Sequence, residues 1–291
     1  MALGKTGSRE MTARSDLDLM TLYANCDSAA ASARKGWGAE TFYARFTQRL
    51  ITALSAPTAD GDLYTVDLQL RPSGRAGPVA VSLATFERYY AGEAETWEAL
   101  ALTRARVVWA SSPAFGHEAD AAIAYALRLP RDPVQTASDA ADMRVLMTKE
   151  RPPHGPWDLK LRPGGLVDIE FAVQTLQIIH AAQGGPLRAN TAQALLTLRH
   201  AGLADAEALV TLAKAWRLQQ NLTQVLKLAL DDPADPEAEP DRFRMLLAAA
   251  GGEASFEALK AQLLARQAEA HAAFLAIIAP PPSVASGAIP R

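Results

Sequence analysis

The sequence predicts a small α/β domain followed by an all-α helical bundle, and three observations carry that expectation. The run LYTVDLQLR (63–71) alternates with period 2: Tyr64, Val66, Leu68 and Leu70 fall on one face, and Thr65, Asp67, Gln69 and Arg71 on the other. From about residue 118 to 279, one segment of helical periodicity follows another. Between segments stand clusters of turn formers: SSPAFG (111–116), RPPHGPW (151–157), DDPADPEAEP (231–240) and PPPSVASG (280–287). These breaks divide the 291 residues into an α/β domain at 1–112, a helical bundle at 118–279 and a disordered tail at 280–291.

In order along the chain, MALGK and DLDLMTLY read as strands. GAETFYARFTQRLITAL carries Phe42, Phe46, Leu50 and Leu54 at four-residue steps, the pattern of an amphipathic helix. The alternating strand follows, then a turn at RPSGRAGP (71–78). SLATFERYY, with Ser82 as N-cap, and AETWEALALTRARVV are expected to be helical. Five longer segments fill the second part, among them GLVDIEFAVQTLQIIHAA, and Gly202 is placed to end the helix NTAQALLTLRHAG. Trp97 and Trp216 are expected in the core.

Composition narrows the function classes. Hydrophobic residues make up 49% of the chain, enough for a sizeable core, and the net charge of −3 gives no broad basic field for nucleic acid. The single cysteine, Cys26, excludes an internal disulfide and a four-cysteine zinc site, which fits a reducing, cytoplasmic setting. No apolar run reaches the roughly 20 residues of a membrane span. The five histidines lack metal-ligand spacing and read as surface or packing residues.

The chemistry concentrates in TGSREMTARSDLDLMTL (6–22). Alternation turns Leu17 and Leu19 to one side of a strand and Asp16 and Asp18 to the other, with Cβ atoms roughly 7 Å apart. Two like charges that close call for a shared cation, and Mg²⁺ prefers carboxylate oxygens plus substrate phosphates. Asp67 lies opposite the apolar face of the later strand. If the strands share a sheet, Asp16, Asp18 and Asp67 converge as ligands of a two-metal phosphoryl- or nucleotidyl-transfer site. Gly7 lets the backbone approach a phosphate, and Ser8 offers hydroxyl and N–H donors. Taken alone, a D-x-D pair is usually a solvated strand or turn; the combination of Gly-Ser, D-L-D-L and a third aspartate is far more specific.

These residues resemble the nucleotidyltransferase superfamily pattern of a Gly-Ser loop, an alternating D-x-D strand and a third acidic strand, which implies a polymerase-β-like fold. Over residues 1 to about 230, LGKTGSREMTARSDLDLMTLY, APTADGDLYTVDLQLRPSGRAGPVAVSLATFERYY, AETWEALALTRARVV and DLKLRPGGLVDIEFAVQTLQ look like the glutamine synthetase adenylyltransferase family. That family has two nucleotidyltransferase halves. One transfers AMP from ATP to a tyrosine of glutamine synthetase, and the other removes it by phosphorolysis. RPSGRAGP, with Ser73 where the removing half tends to carry Phe, and AETWEALALTRAR look more like the C-terminal, adenylylating half. The resemblance makes Asp16, Asp18 and Asp67 the metal-binding and catalytic acids. It makes Gly7 and Ser8 the phosphate loop, and implies Mg²⁺ and ATP as cofactors and a PII-type signal protein as a second partner. Thr6 departs from the usual Leu. Family chains extend far upstream of the loop, so the α/β domain is expected to be N-terminally truncated and its activity alone less certain than its ancestry.

Other residues keep two readings. Arg71 lies on the Asp67 face and is a candidate triphosphate ligand or a solvated strand-end arginine. Arg9 and Glu10 match the loop but could only fix its shape. Arg104 and Arg106, read as two apart on a helix, are expected to point in different directions, one at the site and one at solvent. Lys160 and Arg162 flank a helix N-terminus that could receive a phosphate, or PGGLVDIEF is a capped core helix. Three functional alternatives remain: the de-adenylylating half, a non-catalytic module docking glutamine synthetase or a PII-type protein, and a small-molecule nucleotidyltransferase.

Overall fold

The computed structural model describes residues 1–24, 31–33, 35–59, 61–62, 64–231 and 234–278. Cys26 and the predicted tail 280–291 lie outside them. The first part runs α1 (Gly4–Ser8), β1 (Leu17–Asp18), β2 (Thr21–Tyr23), α2 (Ala39–Leu54), β3 (Pro57–Thr58), β4 (Gly61–Asp62), β5 (Val66–Asp67), a 3₁₀ turn (Gly74–Ala76), β6 (Ala80–Ser82), α3 (Leu83–Gly92) and α4 (Thr96–Leu102). The second part is helical throughout: α5 (Pro113–Leu127), α6 (Pro133–Glu150), α7 (Leu166–Ala181), α8 (Thr191–His200), α9 (Ala206–Ala229), α10 (Asp241–Gly251) and α11 (Phe256–Ile278).

The strands are shorter than the sequence suggests. β1 pairs in parallel with β5, β2 in parallel with β6, and β3 with β4 antiparallel. DLDLMTLY therefore divides into two strands because its ends find different partners. The alternating run 63–71 keeps only Val66–Asp67 as strand before the chain turns. MALGK is no strand: Ala2 bridges Leu19 and Arg106, and the chain then coils into α1.

The amphipathic reading of α2 has the right element and the wrong face. Phe42, Phe46 and Leu50 are 41%, 44% and 38% exposed. The side turned to β2 and β6 is Tyr43, Thr47 and Ile51, with Thr47 buried and Tyr43 stacked on Tyr23 at 4.6 Å. Trp97, expected in the core, is 36% exposed.

Helix starts follow local chemistry. The side chains of Ser82, Ser112, Asp132, Asn190 and Asp205 each accept a backbone N–H of the following first turn. Gly202, at φ +64°, turns the chain just beyond α8 as expected. The predicted break at 113–117 falls inside α5, because Ser112 caps it and Pro113 opens it.

One hydrophobic cluster crosses from the first part into the second. Leu3, Met20, Phe86 and Leu100 belong to the same cluster as Ile169, Leu195, Leu212 and Phe274. Each such fully buried side chain contributes about 1.5–3 kcal/mol, so the α/β strands and the bundle are held as one body. A second cluster packs Trp157, Leu222, Leu247, Leu259 and Leu263 along the C-terminal half of α9.

Candidate active site

β1 and β5 align in register, Leu17 opposite Val66 and Asp18 opposite Asp67. Paired residues on neighbouring strands share a face, with backbones about 4.8 Å apart. Asp18 and Asp67 thus stand side by side, one link from sequence pattern to geometry that the sequence analysis anticipates. Burial raises the Asp18 carboxyl above its ordinary value, and the neighbouring Asp67 and Asp16 charges add to the rise, while Arg104 and Lys160 oppose it. Asp67 accepts the Gln69 backbone N–H at 2.7 Å and its side-chain amide at 3.2 Å. Asp16 is exposed, and one of its carboxylate oxygens accepts a hydrogen bond from the Thr65 hydroxyl. Among the described residues, no three His, Cys, Asp or Glu side chains are grouped as a metal site. The strand pair brings two of the aspartates together, and Asp16 turns to Thr65.

The pair is still a fit for a cation. A half-buried carboxylate pressed against another carboxylate is destabilised as an anion, and a divalent cation relieves that with oxygen ligands.

The approach of α1 to this pair requires glycine. A Cβ on Gly4, at φ +49°, would lie 2.0 Å from Asp18 Oδ2. A Cβ on Gly7 would lie 2.0 Å from the Arg104 carbonyl. Sequence reasoning singled out Gly7 and missed Gly4, although the spacing G-x-x-G around Lys5 was a signal. Lys5 itself was also missed. Its ammonium is held below the usual lysine range, chiefly by burial, with Lys160, Arg104 and Lys227 adding to the shift and Glu170 opposing it.

The Gly-Ser loop is fixed from behind. Ser8 is buried and accepts a hydrogen bond from Arg104 Nη2 at 2.9 Å, so its hydroxyl is turned inward and not offered to a phosphate. The same nitrogen reaches Glu10 Oε2 at 3.0 Å, and Arg104 Nη1 reaches Glu170 at 2.8 Å. Glu10 also accepts from the Thr191 N–H at 2.6 Å and the Thr191 hydroxyl at 3.0 Å at the start of α8. Burial nevertheless raises the Glu10 carboxyl, with Arg104 and the Thr191 N–H pulling it back. Arg106 does not face solvent. It donates to the Gly7 carbonyl at 3.0 Å and the Thr6 carbonyl at 3.1 Å. α4 ends at Leu102, so the helical spacing rule does not apply to Arg104 and Arg106, and both meet the loop.

Arg71 is placed differently from the expectation. Its guanidinium donates to the carbonyls of Leu68 at 2.6 Å, Pro78 at 3.0 Å and Gly77 at 3.2 Å. It is 7% exposed and clamps the 68–78 turn, so its donors face the chain and not an open triphosphate site. In PGGLVDIEF, the Gly164 N–H goes to Asp168 Oδ2 at 2.6 Å, which makes this the capped core helix.

Against this geometry, two family models match the chain. Glutamate-ammonia ligase adenylyltransferase matches residues 1–122, and GlnD PII-uridylyltransferase matches residues 141–275. The bifunctional glutamine synthetase adenylyltransferase/adenylyl-removing enzyme of Caulobacter vibrioides is 64% identical over 278 residues, 96% of this chain and 28% of that protein. By sequence, nearly the whole chain is similar to one part of this enzyme. The enzymes of the same name from Xanthobacter autotrophicus and a Bradyrhizobium species are 46% and 42% identical, each again over 96% of this chain. The chain spans 28% of the length of each of these relatives. Among the described residues, no helix is long and apolar enough to cross a membrane.

Proposed function

We propose that this chain transfers AMP from ATP to a tyrosine of glutamine synthetase, as the C-terminal, adenylylating half of the family on a polymerase-β-like fold. The observation that carries the reading is the register of β1 and β5, which sets Asp18 beside Asp67 on one face. Asp18 and Asp67, with Asp16 rotated off Thr65, would hold Mg²⁺. Bound there, Mg²⁺ supplies positive charge against the ATP phosphates and the developing pyrophosphate. The residues of the chain set the geometry. Gly4 and Gly7 let the α1 backbone lie against the acids, and Arg104 and Arg106 hold the loop rigid from behind. Lys5 and Lys160 add cationic charge where triphosphate oxygens would lie. Asp67 is placed to accept the proton of the attacking tyrosine hydroxyl as the bond from that oxygen to the α-phosphorus forms and pyrophosphate leaves.

The partner reading has its own support. Relatives carry glutamine synthetase in their names, and the helical part matches a PII-uridylyltransferase family model. We therefore propose glutamine synthetase as protein substrate and a PII-type signal protein as a partner of the bundle, in a cytoplasmic setting.

The test uses ATP labelled at the α-phosphate, Mg²⁺ and purified glutamine synthetase. Label should move onto glutamine synthetase with the native chain and not with the Asp16→Asn/Asp18→Asn variant. If the folded native chain moves no label but releases ADP from adenylylated glutamine synthetase in inorganic phosphate, the removing activity replaces this reading.

A further inference from the structure

A second site lies on the bundle, away from the aspartates. Arg199 of α8, Lys214 and Arg217 of α9 and Arg266 of α11 line one cavity of about 310 Å³, together with Asn221 and Gln262. No carboxylate lines it. Arg266 is paired, with Glu269 at 2.8 Å. Arg199, Lys214 and Arg217 have no ion pair among the described residues.

Arg199, Lys214 and Arg217 are exposed and repel one another only mildly, yet no carboxylate of the chain stands among them. The chain as a whole carries −3, so four cations around one hollow do not reflect a general excess of basic residues. Lys214 and Arg217 are three apart on one helix, where like charges repel. Arg199 sits in the last turn of α8, where the helix dipole favours a cation. The two α9 residues lie mid-helix and have no such reason.

We infer that this cavity binds a small metabolite carrying two or more negative charges on phosphate or carboxylate groups. The anionic groups meet Arg199, Lys214, Arg217 and Arg266. The volume is at the lower end of ligand sites, roughly 300–1,000 Å³, which fits a compact acid and not a nucleotide. α9 carries the cavity residues on one side. Further toward its C-terminus it donates from Gln220 to the Glu10 carbonyl at 3.5 Å and from Gln224 to the Met11 carbonyl at 2.9 Å. The same helix thus joins the cavity to the loop behind Asp18.

The test is calorimetric titration of the full chain with citrate and, separately, glycerol 2-phosphate, at constant ionic strength in buffer passed over a chelating resin. The resin strips divalent cations without adding an anion, so the outcome is independent of whether the chain transfers AMP. Saturable one-to-one binding is expected for at least one probe, and the better probe assigns carboxylate or phosphate chemistry. Binding should weaken about ten-fold or more in Lys214→Gln/Arg217→Gln, the loss of at least one charge-assisted hydrogen bond, and persist in Arg217→Lys. Arg199→Gln, on a different helix, should weaken it likewise, with circular dichroism showing each variant folded. No saturable binding of either probe, or equal binding by the folded glutamine variants, overturns the inference.

Discussion

Asp18 and Asp168 are both withdrawn from solvent, and their surroundings are opposite. Asp168, fully buried on α7, accepts from Arg144 Nε and the Gly164 N–H and lies 2.7 Å from His271 Nδ1. Arg144 in turn donates to the Leu161 carbonyl, so the network ties α6, α7, α11 and the 161–165 turn together. Asp18 has a carboxylate across the strand pair and another two residues before it, and burial first, then these charges, push its carboxyl upward. In sequence the two look alike, each an aspartate between aliphatic residues. A partnered buried acid holds a structure together; an acid set beside other acids has no such partner in the chain, and the proposed function gives it a cation.

That contrast can be broken most forcefully at Asp168. Asp168→Ala leaves Arg144 buried without its counter-charge, and a urea titration should show a loss of about 3–5 kcal/mol. A loss below about 1 kcal/mol would place Asp168 with the surface acids. Arg104→Ala should cost about 3 kcal/mol, since it strands Glu10 and Glu170 together behind the loop. Gly4→Ala drives a methyl into the Asp18 carboxylate and should cost about 1–3 kcal/mol, with a fall in any AMP transfer.

The smallest effect has the opposite sign. Asp18→Asn removes the repulsion with Asp67 and should stabilise the metal-free chain by about 1 kcal/mol, a rise in melting temperature of roughly 2–4 °C. Its pH dependence follows from the raised Asp18 carboxyl. A raised carboxyl contributes stability that is fully present below the ordinary value of 3.8 and lost as pH rises through the folded value. Asparagine does not titrate. The melting-temperature gap between Asp18→Asn and the native chain should therefore be near zero at low pH and open toward neutrality. A gap that stays constant with pH would remove charge as its cause.

Much of this was legible in the sequence where the signal is local. Helix periodicity and caps such as Ser82 depend on neighbours within a turn, and α3, α4, α6 to α9 and α11 follow them, while α5 and α10 were not singled out. The pairing of Asp18 with Asp67 was legible because both lie on alternating runs of opposite-face leucine or valine. Three features were not. The face of α2 depends on what lies beside it, so the Phe42–Phe46–Leu50 stripe misled. Arg71 reads as an active-site arginine until the turn at 68–78 folds back and supplies carbonyls. Arg104 and Arg106 required α4 to stop at Leu102, and no residue nearby announces that stop.

The continuous core has a consequence for cutting the chain. The stretch from Val107 to Ser112 joins two parts that share Phe86, Leu100, Ile123, Ile169 and Leu195 as neighbours in one cluster. A protease that nicks the exposed Val108–Trp109 segment severs the covalent link and leaves the packing in place. The two fragments should travel as a single particle through a sizing column and part only in denaturant.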